Sequence, residues 1–194
     1  AHPTDPLNFY GFTKLEIERL LSWYDRLRAI RSVSLRYFNA AGYEPDGSVT
    51  GLEQNPANLL PVVMEVAMGW RRELSIFGDD YPTRDGTGVR DYVHVTDLAA
   101  AHVQALHYLQ NSDTSLTLNL GSEHGVSVYE MLEATRRLTG KEVPARVVSR
   151  RAGDPAELIA SSAQARKYLG WSAQYSDPDT LVTTTWEVYR RHQR

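Results

Sequence analysis

The 194-residue chain contains no cysteine, which excludes disulfide bonds, a thiolate nucleophile and a cysteine-ligated metal site. It also has no large excess of charge of either sign, because 21 Lys and Arg residues face 24 Asp and Glu residues. Such a balance provides no basic face for nucleic acid. No apolar run approaches the roughly 18 residues of a membrane span, and no signal peptide is recognisable. We therefore expect a cytoplasmic protein that binds neither nucleic acid nor membranes.

Two further features are missing near the N-terminus. The chain begins with Ala1 rather than Met, and the loop-like residues 1–6 lead almost at once into a helical pattern. We therefore expect the chain to be part of something longer. No Gly-x-x-Gly-x-x-Gly pattern opens a strand–helix turn. Gly86 and Gly88 lie in a loop among charged residues, so they do not form a dinucleotide-binding fingerprint.

The hydrophobic pattern predicts alternating helices and strands. Predicted helices cover residues 9–30, 58–70, 97–110, 128–138, 163–169 and 179–192. Strands or strand-like apolar segments are expected at 31–38, 74–77, 92–95, 117–120 and 143–149, with a polar loop at 79–90. Thr96 or Asp97 is expected to cap the third helix, Ser127 the fourth, and Gly140 to end the fourth. This order predicts an α/β protein, in which the last piece of a doubly wound parallel sheet precedes a small mixed α/β domain.

Tyr10 and Lys14 form the most informative local pattern. Residues four apart on a helix lie on one face, about 6 Å apart at Cβ. A free tyrosine titrates near pH ~10, and a neighbouring ammonium group favours the phenolate. The pair is suited to proton transfer to or from a sugar or alcohol hydroxyl. Taken alone the pattern is weak, because a surface lysine beside a half-buried tyrosine is common.

Several other motifs accompany this pair. They are Tyr10-Gly-Phe-Thr-Lys14, Leu35-Arg-Tyr-Phe-Asn39, Asn58-Leu-Leu-Pro61, Ser75-Ile-Phe-Gly78, the long run from Asp79 to Val95, and Arg150-Arg-Ala-Gly-Asp154. From Pro6 to about Tyr189 the chain resembles the C-terminal portion of the UDP-glucose 4-epimerases, in the extended short-chain dehydrogenase/reductase family. The resemblance implies that residues 1–40 end an NAD-binding Rossmann domain and that residues 41–194 mainly form a UDP-sugar-binding domain.

The resemblance implies a redox mechanism with NAD as the cofactor. NAD⁺ would take a hydride from C4 of the UDP-hexose while Tyr10 takes the proton of the 4-hydroxyl. The 4-keto sugar would then turn over and receive the hydride on its other face. Lys14 would hold the nicotinamide ribose and tune Tyr10, and Tyr37 and Phe38 would lie near the nicotinamide. Since most NAD contacts precede residue 1 in such enzymes, the chain alone is expected to be inactive.

The resemblance also implies how the substrate is held. Arg90 and Arg151 would clamp the diphosphate, to which arginine gives bidentate charge-assisted contacts. Asn39, at the carboxyl end of a strand, would donate to a phosphate, and Asp154 would accept from ribose hydroxyls. Leu158 would line the hexose C2 substituent, which predicts a preference for UDP-glucose and UDP-galactose over N-acetylhexosamines. The remaining expected substrate-binding residues are Asn58, Leu59, Ser75, Ile76 and Phe77 around the uracil, and Tyr92.

Each residue also has a plainer explanation. Lone arginines such as Arg90 and Arg151 are usually surface ion-pair residues, and Tyr37 and Phe38 would otherwise be strand core. His94, flanked by valines, is expected to be a packed, hydrogen-bonded histidine. No second ligand lies at a convincing spacing, so no metal site is expected.

Other functions fit the same chain. A pentose epimerase and a nucleotide-sugar dehydratase would have the same fold. A catalytically silent UDP-sugar-binding or interaction module would belong to another class.

Related epimerases pair through the helix that bears the tyrosine and lysine and through the helix before it. Only the former is present here, so the apolar face of residues 15–27 would be partly uncovered. We expect a homodimer or a higher oligomer.

Overall fold

The computed structural model describes residues 4–6 and 8–192. In this part of the chain the helices are α1 Phe9–Arg28, α2 Leu59–Ala67, α3 Val95–Gln110, α4 Val128–Thr139, α5 Ala163–Leu169 and α6 Pro178–Tyr189. The strands are β1 Val33–Tyr37, β2 Asn39–Ala41, β3 Leu74–Phe77, β4 Val89–His94, β5 Leu116–Leu120, β6 Gly125–Ser127, β7 Ala145–Val148 and β8 Glu157–Leu158. No helix among the described residues is both long enough and apolar enough to cross a membrane.

The strands form small sheets in which parallel pairing dominates. β1 pairs with β5, β2 with β4, and β3 with β7, all in parallel. β4 is the most connected strand, since it also pairs antiparallel with β6 and parallel with β8. Helices between parallel strands are the expected connection, and the predicted α/β class with parallel strands is confirmed.

Three clusters of buried side chains form the core. The first joins α2, α4 and α6 to β4 and centres on Leu60, Met64 and Leu181. The second packs α2 and α4 against β3 through Val63, Ile76 and Leu132. The third packs α3 and α5 against β4 and β5, with members Val93, Leu98, Leu118, Leu120 and Trp171. Strand β4 contributes to the first and third clusters, which leaves it at the centre of the molecule.

The helix ends test the predicted caps. Ser127 caps α4 in a reciprocal capping box with Glu130, and Gly140 ends the helix in the left-handed conformation, so both predictions are confirmed. The prediction that Thr96 or Asp97 caps α3 is wrong, because the N-cap is His94. Its Nδ1 accepts the backbone N–H of Thr96 at 3.1 Å. A ring nitrogen thus replaces the side-chain oxygen usual at this position.

Helix α1 is the least buried of the described helices. It has no buried side chain, and ion pairs join it to the segment that enters and forms β1, namely Asp25 with Arg31 and Glu18 with Arg36. The Arg36 Nε donates to Glu18 Oε1 at 2.7 Å. Large apolar side chains along the helix are about half exposed or more, which confirms the predicted uncovered face: Phe9, Phe12, Ile17, Leu20, Trp23 and Leu27.

The loop at 79–90 is compact rather than merely solvated. Asp85 accepts hydrogen bonds from the backbone N–H and the hydroxyl of Thr87, at 2.9 and 2.8 Å, and from the hydroxyl of Ser127. Gly86 lies at φ +83°, where a Cβ atom would overlap the carbonyl oxygen of Asp79. The loop therefore holds the start of β4 against the N-terminus of α4.

Replacing Gly86 by alanine is expected to lower the free energy of unfolding by about 1–3 kcal/mol more than the matched change Gly69→Ala. Gly69 has a similar φ of +74° but has no atom near its missing Cβ. The pair thus separates the overlap with Asp79 from backbone strain. Urea denaturation of both variants gives the measurement, and equal losses would contradict the packing described for the loop.

Candidate functional site

A cavity of about 520 Å³ opens between the N-terminus of α2, β3, β4 and the segment after β7. It brings together every residue expected to bind the substrate except Leu158. These residues are Asn39, Asn58, Leu59, Ser75, Ile76, Phe77, Arg90, Tyr92, Arg151 and Asp154. They come from five separate stretches of sequence, and the fold places them around one space.

Strand geometry explains why these side chains meet. Side chains two apart on a strand share a face, so Arg90 and Tyr92 point into the cavity from β4. Asn39 pairs with Tyr92 in the β2–β4 register, which sets its side chain beside them. On the opposite wall α2 begins just after Asn58. Pro61 falls in the first turn of α2, where the missing N–H costs little.

The two arginines expected to clamp a diphosphate both face this cavity. Arg90 donates to the carbonyl oxygen of Val89 at 2.9 Å and lies 3.9 Å from Asp154 Oδ1. That carboxylate is at the outer limit of an ion pair, so most donors of Arg90 remain available to a ligand. Arg151 makes no ion pair among the described residues. Two guanidinium groups at one cavity favour an anion with several oxygens.

Phe77 carries one of these guanidinium groups on its ring. The Arg151 Cζ lies 3.8 Å from the ring centroid of Phe77, a cation–π arrangement. One face of the ring is therefore covered. A nucleobase can stack on Phe77 on the opposite face, or on the same face once the guanidinium moves toward a phosphate.

Tyr92 is a neutral phenol at the floor of the cavity. It is 5% exposed, and burial raises its pKa to about 12, an effect that the charge of Arg90 partly opposes. The hydroxyl therefore keeps its proton at physiological pH, so Tyr92 can take part in hydrogen bonds without taking charge.

Leu158 does not line the cavity. It lies in β8, where it pairs with Arg90 of β4, and its side chain is partly exposed. Its expected role at the hexose C2 substituent stays a prediction. The position is nevertheless adjacent to the clamp, since the pairing sets Leu158 beside Arg90.

The structure adds cavity residues that the sequence did not reveal. Among them, Glu73 precedes β3 and lies two residues before Ser75 and four before Phe77. Side chains at this spacing share one face of a strand, so strand alternation could have indicated Glu73. Arg71 binds Glu65 Oε2 through Nε and Nη2, at 3.1 and 2.8 Å, and no local pattern indicated it. The other additions are Pro56, Ala57, Val62, Leu74, Tyr81, Gly88 and Val128.

The proposed acid/base pair lies outside this cavity, on α1. Lys14 Nζ is 5.2 Å from the ring centroid of Tyr10, as the four-residue spacing predicts. Tyr10 is 70% exposed. Tyr37 and Phe38, where β1 ends, are also exposed. Open side chains at the carboxyl end of a parallel strand fit the nicotinamide end of a dinucleotide. No described strand–helix turn is glycine-rich, so the described residues offer no cradle for the pyrophosphate.

His94 is a packed histidine, as predicted. It is fully buried, and its Nε2 lies 3.1 Å from the hydroxyl of Thr184. Because Nδ1 accepts from Thr96, the ring proton is on Nε2 and is donated to Thr184. His94 therefore joins β4 and α3 to α6. Within the described part of the chain, no group of three or more His, Asp or Glu side chains could hold a metal ion.

The free energy of unfolding is expected to fall as the pH drops below about 6.5, in part because of His94. Burial lowers its pKa, against opposing contributions from Asp97, Glu44 and Asp177. The unfolded chain then binds this proton at a higher pH than the folded chain, so acid favours unfolding. The slope attributable to one such group is at most about 1.4 kcal/mol per pH unit. Urea denaturation between pH 7.5 and 5.5 should show a flatter dependence for His94→Gln but not for exposed His107→Gln. Equal slopes in all three proteins would contradict this assignment.

The family profile described as GDP-mannose 4,6 dehydratase matches residues 1–184. The chain therefore belongs to this family. The chain is 49% identical over 191 residues to a UDP-glucose 4-epimerase of Lacticaseibacillus casei. This match covers 98% of this chain and 57% of that protein. The chain thus spans little more than half the length of such curated relatives.

Solved structures give the same result. UDP-glucose 4-epimerase of Brucella ovis in complex with NAD matches at a TM-score of 0.92 and 43% identity, covering 95% of this chain and 57% of that one. The Bifidobacterium longum enzyme in complex with NAD⁺ and UDP matches at 0.84 and 36% identity, covering 95% and 55%. The expected fold, the C-terminal part of a Rossmann-type epimerase, is confirmed.

Proposed function

We propose that this chain supplies the acid/base pair and the UDP-sugar cavity of a UDP-glucose 4-epimerase, which interconverts UDP-galactose and UDP-glucose. The observation that carries the proposal is the convergence of Arg90, Arg151, Asp154 and Phe77 on one cavity. Two guanidinium groups suit a diphosphate, a carboxylate suits ribose hydroxyls, and an aromatic ring suits a pyrimidine. The relatives named above support the choice of UDP-hexoses.

The cavity holds the nucleotide in the following way. Arg90 and Arg151 bind the diphosphate oxygens, and Asn39 donates to one of them. Asp154 accepts from the ribose, while the uracil stacks on Phe77 between α2 and β3. Residues 41–194 thus form mainly the UDP-sugar-binding domain, and residues 1–40 belong to the NAD-binding domain.

The chemistry takes place beside α1. NAD, when bound, supplies reversible hydride exchange at C4 of the hexose, and Tyr10, Lys14, Tyr37 and Phe38 hold its nicotinamide end. Tyr10 Oη takes the proton of the 4-hydroxyl as the C4 hydrogen leaves, and it returns the proton when the 4-keto sugar is reduced on the other face. The Lys14 ammonium stabilises the phenolate between the two steps. Leu158 favours the plain hexoses over N-acetylhexosamines.

Binding of UDP to this chain tests the cavity assignment. Isothermal titration calorimetry should detect saturable binding of UDP and UDP-glucose, with ADP as a matched control that keeps the diphosphate but enlarges the base. Equal affinity for ADP would contradict a uracil site, and no binding of UDP would contradict the cavity assignment altogether.

Turnover separates an epimerase from a silent binding module and from a dehydratase. The chain is joined to the N-terminal part of the Lacticaseibacillus casei relative, and UDP-galactose is supplied with NAD. UDP-glucose as the product supports the proposal. Accumulation of a dehydrated keto sugar would favour the dehydratase, and binding without turnover would favour the module.

The exposed apolar face of α1 supports a homodimer, and the cytoplasm is the location proposed for it. Side chains such as Leu20, Trp23 and Leu27 are more than half exposed, and contiguous apolar surface of this kind commonly marks an interface. Light scattering at micromolar concentration should give twice the chain mass. Trp23→Glu should shift the mass toward the monomer, whereas Ser22→Glu, at an exposed position that points to a different face of the helix, should not. A monomeric wild-type protein would contradict the dimer.

A further inference from the structure

We propose that Gly88 is a positioning residue, whose missing side chain lets the guanidinium group of Arg90 pack against the backbone at the start of β4 and keeps it in place for a diphosphate. This inference rests on the proposed function, because it concerns the same cavity. Gly88 lines the cavity and lies directly before β4, two residues from Arg90.

The contact between Gly88 and Arg90 is direct. A Cβ atom added at Gly88 would lie 3.3 Å from Nη1 of Arg90 and 3.6 Å from both Cζ and Nη2. The shortest of these distances is tighter than most contacts that a real Cβ atom makes. The similar distances to three atoms indicate that the face of the guanidinium group packs over Gly88. Arg90 therefore occupies the place that a side chain at position 88 would take.

The backbone conformation does not explain the glycine at this position. Gly88 is not among the glycines with a positive φ, so another L-residue could adopt its conformation without strain. Gly86, two residues earlier, has a φ of +83°. Position 88 is therefore constrained by the neighbouring guanidinium group, whereas position 86 is constrained by the turn itself.

The backbone at Gly88 is held on both sides. Thr87 is fully buried, and its N–H and hydroxyl donate to Asp85 at 2.9 and 2.8 Å. On the other side, Val89 donates its N–H to the carbonyl oxygen of Ala156 at 2.9 Å and pairs with both β6 and β8. The backbone cannot retreat from an added Cβ atom, so the guanidinium group must move instead.

In its present place Arg90 is prepared for an anion. Its side chain is 20% exposed, and Nη2 lies 3.9 Å from Asp154 Oδ1. Among the described residues it donates one hydrogen bond, from Nη1 to the carbonyl oxygen of Val89 at 2.9 Å. A largely buried guanidinium group without a close carboxylate favours an anionic ligand. Because the side chain is already ordered, less rotamer entropy is lost when that ligand binds.

Replacing Gly88 by alanine is expected to push the guanidinium group away from the Val89 carbonyl oxygen. Arg90 then loses its fixed position, and its contact with a phosphate weakens. Folding should be affected little, because the end of a long side chain moves easily, so the change acts on ligand binding. Uridine has no phosphates, and its affinity should therefore not depend on where Arg90 lies.

Gly51 offers a matched control. It also lacks a positive φ, and no atom lies within 4 Å of its missing Cβ. It does not line the cavity. Gly51→Ala and Gly51→Val therefore report the effect of adding the same side chains to a glycine that touches no arginine.

The experiment measures dissociation constants of UDP and uridine by calorimetry on the 194-residue chain and its variants. The temperature is one at which circular dichroism shows each protein folded. The UDP dissociation constant should rise at least about threefold in Gly88→Ala and about tenfold in Gly88→Val. Uridine affinity in these variants, and UDP affinity in both Gly51 variants, should stay within about twofold of the wild type.

A double-mutant cycle isolates the contact between Gly88 and Arg90. Arg90→Ala removes the guanidinium group, so adding Gly88→Ala to that variant should change UDP affinity by less than about twofold. A side chain that only filled the cavity would weaken UDP binding equally with and without Arg90.

Three outcomes overturn the inference. They are an unchanged UDP affinity in Gly88→Ala when the wild type binds UDP, an equal loss of uridine affinity, and an equal effect of Gly88→Ala in the presence and absence of Arg90. If Gly88→Val does not fold, the cycle with alanine gives the answer alone. Wild-type binding separates the two proposals, because a wild type that fails to bind UDP refutes the cavity assignment itself, and the inference with it.

Discussion

Replacing Tyr10 by phenylalanine is expected to lower kcat for UDP-galactose by about 10²–10⁴-fold, the usual contribution of a positioned acid/base group. The phenyl ring keeps the shape of the side chain but cannot take the 4-hydroxyl proton. KM should change little, because Tyr10 does not line the cavity that is proposed to hold the nucleotide. The measurement is steady-state turnover of the enzyme formed by joining this chain to the N-terminal part of its Lacticaseibacillus casei relative.

Tyr24 supplies the control for this change. It lies on the same helix, is 46% exposed and has no lysine four residues after it. Tyr24→Phe should leave kcat within about twofold, since exposed substitutions away from a site have small effects. Retention of more than a tenth of the wild-type kcat in Tyr10→Phe would show that another group moves the proton.

Replacing Arg151 by alanine is expected to weaken UDP binding by roughly 10- to 150-fold. Hydrogen bonds to charged groups contribute about 1.5–3 kcal/mol, and about 1.4 kcal/mol corresponds to a factor of ten. Uridine, which lacks phosphates, should bind the variant at least as tightly as the wild type. The reason is that the Arg151 guanidinium, 3.8 Å from the Phe77 ring centroid, no longer covers the ring. Calorimetry with both ligands gives the two dissociation constants.

Arg150 makes this test specific. It is adjacent in sequence, but it pairs with Asp80 and lies 4.1 Å from the ring centroid of Tyr81, and it does not line the cavity. Arg150→Ala should therefore leave UDP affinity almost unchanged. Similar losses in both variants would indicate a general electrostatic attraction rather than a clamp formed by Arg151.

The longer elements could be predicted from the sequence because their patterns are long enough to repeat. Helices α1, α3 and α4 show several turns of apolar periodicity, and β3 was predicted with the bounds that it has. Strands β2, β6 and β8 were not predicted, because two or three residues carry no period and their pairing with β4 arises only in the fold. The cap of α3 was mispredicted, since nothing local indicates that a buried imidazole will accept the Thr96 N–H.

The candidate site divides in a similar way. Its residues were predicted through motifs shared with a family, not through spacing, because Asn58 and Arg151 are far apart in sequence. The stacking of Arg151 on Phe77 could not be predicted, since it depends on two side chains brought together by tertiary structure. Glu73 could have been found from strand alternation, whereas Arg71 could not. Leu158 illustrates the limit, because its position is set by the pairing of β8 with β4.

The weak attachment of α1 has a consequence for how persistently Tyr10 and Lys14 are held in position. An element with no buried side chain and with partly exposed ion pairs opens locally at little free-energy cost. Its amide protons should therefore exchange with deuterium long before those of α4, and faster as ionic strength rises and screens Glu18 from Arg36. Tyr10 and Lys14 therefore lie on a helix that should open locally more often than α4 does. A surface that packs onto α1 would therefore hold Tyr10 and Lys14 in place for longer.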